Sequence, residues 1–389
     1  MRQILLFVLA LLVQAASASQ MSPQERADQQ MLMAAEAGRT DLVQYMLDQG
    51  AAIEARDTRP QANTALMLAA KRGHREVAAL LLKRGAEINA RSADKWTALM
   101  QAAHQGHLDI LELLLEHEAD LRAREDRYGN TALILAADRG HSAVVRLLLQ
   151  HGADANAAGT KQGNTALMQA AATPAGQHTA IELIVSGADV NARAKDGWTA
   201  LMATARRGNS ALLELLLANG ADVNARTLDG RSALLLAAKA GYTAIVEALL
   251  RANAEIDVRA DNGENPLGRA ARAGHEAIIM RLIDAGADVN APGRNGRRPL
   301  MIAARANRVR TVALLLERGA DVNGTDTDDG NTALMLAANS GHIRVVQLLL
   351  ASDADVHIRA KDGWTALQAA EMVSDAEIID LLKQAGAKR

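Results

Sequence analysis

Cysteine is missing from all 389 residues. Its absence excludes disulfides, thiolate metal sites, cysteine nucleophiles and a lipid-modified N-terminal cysteine. Aromatic residues are nearly missing too, at 2%. A core so poor in rings must be built from Leu, Ala, Val, Ile and Met, which suits helices that approach closely over small side chains. Neither sign of charge prevails: the formal net charge is −2. No global field therefore points to a nucleic-acid or membrane partner. The nucleophile elbow, the P-loop and the dinucleotide fingerprint are all lacking. Beyond the first residues there is no apolar run long enough to span a bilayer.

The N-terminus differs from the rest. One positive charge at Arg2 precedes an uninterrupted apolar run, Ile4 to Val13, and then the small-residue signal Ala16-Ser17-Ala18. That is the layout of a cleavable secretory signal peptide, and the run is too short for a membrane anchor. Residues 1–18 are expected to be removed after Ala18, leaving a soluble protein in the periplasm or secreted. Residues 19–28 read as a short linker and 29–389 as the folded domain.

What the chain has in abundance is itself. Thr64-Ala65-Leu66-Met67 returns at Thr97, Thr131, Thr165, Thr199 and Thr332, and in varied form at Ser232, Asn265, Arg298 and Thr365. The period is 33 or 34 residues throughout, and a faint first copy lies at Leu32-Met33-Ala34-Ala35. Within one copy, Thr64 suits an N-cap, and Leu66, Ala69 and Ala70 fall at helical spacing. Gly73 then favours a left-handed stop. Val77, Leu80 and Leu81 form the apolar stripe of a second helix, which Gly85 ends before a polar loop. Neither helix can bury its stripe alone, so the copies must stack. The expected fold is all-α, about eleven helix-turn-helix units with projecting turns, the terminal units acting as caps.

These residues resemble the ankyrin repeat, whose G-A-D-V-N-A segment stands at Gly187, Gly220 and Gly286, and whose Gly-His pair recurs at His74, His107, His141, His275 and His342. The resemblance implies a solenoid whose loops project as β-turn fingers, making a concave face with the first helices. Departures are visible. The family's proline survives only at Pro266 and Pro299, its histidine is mostly Met, and unit five carries an inserted Thr173-Pro174-Ala175-Gly176. Lys95 stands where other turns have glycine, a position that should strain its finger.

Chemistry finds no foothold. The Gly-His histidines recur one or more repeats apart, lie along the stack and never converge. The others form no metal-ligand set. Asp196, Asp229 and Asp362 sit beside glycine in turns, where Asp caps its own backbone. Asp326, Asp328 and Asp329 crowd one finger without the ligand set of a calcium loop. No catalytic residue, metal or cofactor is assigned.

A binding surface is easier to find. Trp96, Trp198 and Trp364 share one phase of the repeat, just before the helix cap, and Tyr128 lies on a neighbouring finger. Elsewhere that phase holds Asn63, Asn130, Asn164, Arg231, Glu264, Arg297 and Asn331, as an exposed position would. Exposed Trp is typical of interface hot spots, although each ring could equally pack on the next finger. A second line follows the Ala-Ala pair of each first helix, and the resemblance turns it toward the groove. It includes Lys71, Arg72, Arg139, Arg206, Arg207, Lys239, Arg272 and Arg305, a positive strip able to attract an acidic protein surface. The expectation is a monomeric, non-catalytic protein-protein interaction scaffold in an exported compartment. The alternative is an inhibitor or immunity protein that occludes a toxin or envelope enzyme. Basic and stacking residues do not interleave on one module, which argues against nucleic acid.

Overall fold

A computed structural model describes residues 21–388. The leader assigned to residues 1–18 lies outside them. Among the described residues the secondary structure is helical: eleven pairs of short α-helices, with one 3₁₀ turn and two isolated antiparallel bridges, Arg56 with Thr64 and Ala158 with Thr165. The chain divides into two compact units at Lys195 and Asp196.

Unit 1 contains five pairs. They are α1 (Pro23–Glu36) with α2 (Thr40–Asp48), α3 (Ala65–Arg72) with α4 (Arg75–Lys83) and α5 (Ala98–Gln105) with α6 (Leu108–Glu116). α7 (Ala132–Arg139) with α8 (Ser142–Gln150) and α9 (Ala166–Ala172) with α10 (Gln177–Val185) complete it. Unit 2 contains six pairs. The first helices are α11 (Ala200–Arg207), α13 (Ala233–Ala240), α15 (Pro266–Ala273), α17 (Pro299–Arg305), α19 (Ala333–Asn339) and α21 (Ala366–Met372). Their partners are α12 (Ser210–Ala218), α14 (Thr243–Arg251), α16 (Glu276–Asp284), α18 (Val309–Glu317), α20 (Ile343–Ala351) and α22 (Ala376–Gln384). Within each unit, first helices pack on first helices and second on second.

The pattern in the sequence is realised residue by residue. Thr64 Oγ1 accepts from the Met67 amide, and the same cap recurs at Thr97, Thr131, Thr165, Thr199, Thr332 and Thr365. Gly73 ends α3 at φ +82°. α3 buries six consecutive residues, Ala65 to Ala70, so it is apolar on every side. α4 buries Val77, Ala78 and Leu81 but leaves Leu80 half-exposed. The stack is therefore an Ala/Leu/Met core sealed by one face of each second helix.

Polar side chains tie each copy to the next. The Asn of the G-A-D-V-N-A segment accepts from an amide one repeat on: Asn89 from Asp120, Asn156 from Asp189, Asn224 from Glu255 and Asn290 from Asp321, at 2.7–2.8 Å. The Gly-His histidines reach backwards. His74, His107, His141 and His342 each place Nε2 3.0–3.2 Å from the carbonyl of Glu36, Lys71, His104 and Arg305, respectively. Where histidine is lacking, Thr173 Oγ1 bonds the Asp138 carbonyl and Arg308 Nε bonds that of Arg272. The insertion in unit five therefore supplies its own tie, and α9 and α10 stay packed on α7 and α8.

One boundary differs from expectation. Residues 23–28 belong to α1 and not to a linker, because Ser22 and Glu25 form a reciprocal capping box with Pro23 at the first helical position. Lys95 does adopt the left-handed conformation that glycine has elsewhere, at φ +60°.

Candidate binding surface

Each finger is a tight turn closed by its own backbone. The Ser92 amide donates to the Trp96 carbonyl at 2.9 Å, that of Thr227 to Arg231, and that of Ala360 to Trp364. Adjacent fingers are then joined: Ala93 N to Gln61 O, Asp126 N to Asp94 O, Leu228 N to Asp196 O, Asp261 N to Asp229 O and Lys361 N to Asp329 O, all at 2.7–3.0 Å. The turn acids have local duties. Asp196 and Asp362 accept from the amides of Trp198 and Trp364. Glu125 is buried and takes the amides of Arg127, Tyr128 and Asn130; Asp326, also buried, takes those of Asp329, Gly330 and Asn331. The acidic cluster on that finger is thus a turn brace, and among the described residues no group of three or more His, Cys, Asp or Glu is placed to hold a metal ion.

The phase holding the tryptophans is less open than its composition suggested. Asn63 and Asn130 are buried there, Trp96 and Trp198 are half-buried, and only Trp364 and Arg231 are exposed. Asn63 and Asn130 are held by carboxylates of their own turns, which accept their amides: Asp57 for Asn63 and Glu125 for Asn130.

In unit 1, Trp96, Tyr128 and Arg139 meet in one open cleft of about 750 Å³ between fingers and first helices. The Trp96 ring stands edge-on to His104, centroids 5.4 Å apart. Arg139 Nε donates to His104 Nε2 at 3.0 Å, and Arg127 lies over the Tyr128 ring at 5.0 Å. Burial first, then the positive charge of Arg139, depresses the His104 pKa below its ordinary 6.5. The same cleft is bordered by Asp94, Glu125, Asp126 and Asp138. Farther along, Arg72 is bound to Glu36 at 2.7 Å, while half-buried Lys71 offers its carbonyl to His107. The positive strip is therefore broken in unit 1, where carboxylates face its members.

Unit 2 is different. Arg206 lies over the half-buried Trp198 ring at 4.9 Å. Arg206, Arg207, Lys239, Arg272 and Arg305 are exposed at the C-terminal ends of successive first helices, and none forms an ion pair among the described residues. Arg272 and Arg305 border a second cleft together with Arg269, Arg294 and Arg297. Arg269 and Arg294 escaped the sequence reading, and Arg297 entered it only as an exposed finger position. Arg269 precedes the Ala-Ala pair, at the phase where Gln101 is buried, and Arg294 and Arg297 lie on the finger. The signal available was the basic run Arg294 to Arg298. Trp364 stands apart in the last copy, with Met372 and Val373 exposed nearby in sequence at the end of α21.

A family model described as "Ankyrin repeats (3 copies)" matches residues 7–92, 30–125, 86–158, 167–261, 234–326 and 323–388. The chain belongs to the ankyrin repeat family. Among solved structures, the human ASB11 ankyrin repeat domain is similar, with 27% identity and a TM-score of 0.53 over 58% of this chain and the whole of that one. No curated protein matches. As an ankyrin repeat protein it has the build of a protein-protein interaction scaffold, and among the described residues no helix is long and apolar enough to cross a membrane.

Proposed function

We propose that this ankyrin protein is an exported, non-catalytic scaffold that holds a protein partner through the finger and first-helix surface, with unit 2 supplying the charge that selects an acidic surface. The observation that carries this reading is the row of exposed, ion-pair-free cations from Arg206 to Arg305, with Trp198 beneath Arg206. Cations that pair inside their own protein contribute little outside it. Those left open can steer an acidic partner, and their contribution weakens with salt. The ordered backbone of the fingers supports the same reading, since a surface fixed before contact loses little freedom on binding. The leader pattern at residues 1–18 supports export.

The test is affinity capture from the periplasmic or culture fraction of cells expressing the full chain, compared with Arg206→Glu/Arg207→Glu. The native protein should retain a specific prey that elutes with moderate salt, and the reversed variant should lose it. Identical prey from both would count against the basic surface. Sequencing of the mature protein should begin at Ser19, and a protein retained with its leader in the cytoplasm would count against export.

A further inference from the structure

The cleft beside α15 and α17 carries a property that protein docking alone does not explain. It has a volume of about 440 Å³ and is lined by Arg269, Arg272, Arg294, Arg297 and Arg305, within the usual size range of a small-molecule site. Small and apolar residues, Gly268, Gly293, Ile302 and Ala306, complete much of the lining. Two carboxylates reach these guanidiniums: Glu264 binds Arg269, and buried Asp326 lies 3.7 Å from Arg297 Nε. The remaining three, Arg272, Arg294 and Arg305, have no ion-pair partner among the described residues. The Nε atoms of Arg269 and Arg297 are buried with no hydrogen-bond acceptor, a costly state for a charged donor. Burial, then repulsion from Arg272, Arg231 and Arg294, pulls the Arg269 pKa down even though Glu264 touches it.

The cleft sits where the stitching between fingers lapses. The Arg294–Gly296 turn coils into a 3₁₀ segment with Asn295 at φ +60°, and no backbone bond joins it to the finger on either side. Arg294 and Asn295 of this turn line the cleft.

The geometry points to a binding site for a compact, multiply charged oxyanion of the phosphate class. Three unmatched cations around one small cavity call for about as many negative charges in the same volume. Neighbouring carboxylates on one side of an extended peptide are ~7 Å apart and bring one charge each, whereas linked phosphates concentrate theirs. Guanidinium forks match phosphate oxygens in pairs. Nor does the segment from Glu264 to Ala306 offer an aromatic side chain of the kind that anchors protein interfaces. The site stands whether or not the scaffold reading holds.

Calorimetric titration of the full chain with inorganic pyrophosphate, at fixed physiological ionic strength, tests it. One saturable site is expected. Arg272→Gln/Arg305→Gln changes two exposed side chains that brace no turn, so it should melt as the native protein does yet bind at least tenfold more weakly. Arg272→Lys/Arg305→Lys, which keeps charge without the fork, should fall between. Arg206→Gln/Arg207→Gln, outside the cleft, should bind as well as the native protein. Absence of saturable binding, an equal loss in the Arg206/Arg207 control, or tighter binding of a tetraglutamate peptide than of pyrophosphate would each overturn the proposal. The last outcome would make the cleft an anchor for acidic protein segments.

Discussion

His104 shows how much one side chain's setting can alter. Its Nε2 accepts from Arg139, its Nδ1 lies 3.2 Å from the Gln105 amide nitrogen, and Trp96 stands against its ring. Accepting from Arg139 requires a ring unprotonated at Nε2, which is the neutral imidazole with its proton on Nδ1. Burial and the adjacent guanidinium both penalise protonation, so the folded pKa lies below the ordinary 6.5. The sign follows directly. Above pH 6.5 both folded and unfolded chains carry a neutral ring, and the contribution is intact. As pH falls below 6.5, the unfolded chain takes up the proton first, and stability is lost toward the depressed folded pKa. An imidazole-resolved NMR titration of the folded protein should place the His104 midpoint below that of a free histidine. Arg139→Gln should raise the midpoint only part of the way, because burial is the larger cause. A midpoint at or above the free value would show that the ring is not held as described.

At the scale of helices, neighbours decide what a core residue contributes. Leu249 of α14 and Leu382 of α22 are both fully buried. α14 has packed helices on both sides, α12 and α16, whereas α22, in the last described copy, packs on α20 and its own partner α21. Leu249→Ala should cost roughly 2–5 kcal/mol, the usual range for a large-to-small change with a cavity left behind. Leu382→Ala should fall at or below the low end of that range, since the terminal pair can relax into the space. Opening free energies from amide hydrogen exchange in the two helices would measure both, and equal losses would contradict nearest-neighbour stacking.

Elements of this kind were also the most legible part of the sequence. Thr64 and Gly73 announce a helix start and stop through chemistry contained within a few residues, and the structure places both accordingly. The turn roles of Asp196 and Asp362 were equally local. What could not be read was anything depending on a neighbour about 35 residues away. Asn63 and Asn130 look polar and exposed but are buried. The strip of cations looks continuous, yet Arg72 finds Glu36 one repeat back. Arg269 and Arg294 share a cleft only because α15 and a distant finger converge. The period fixes a residue's phase in its own copy; the partner across the gap comes from the other copy's sequence.

For the whole molecule, copies bound chiefly to the copies beside them within each unit need not unfold as one. Stability in such a stack is close to a sum of intrinsic and nearest-neighbour terms, so terminal copies with one neighbour open before interior ones. The three tryptophans are well placed to test this, because each belongs to a different copy and they share one structural phase. Trp96 lies in an interior cleft against His104, Trp198 under Arg206, and Trp364 at the exposed start of the last pair. Variants retaining one tryptophan, the other two replaced by Phe, report local unfolding by fluorescence during a urea titration. Trp364 should lose its native signal at lower urea than Trp96, with circular dichroism tracking neither curve throughout. Coincident midpoints for all three probes and for circular dichroism would instead mark a single cooperative unit, in which the loss of any one interface brings down the rest.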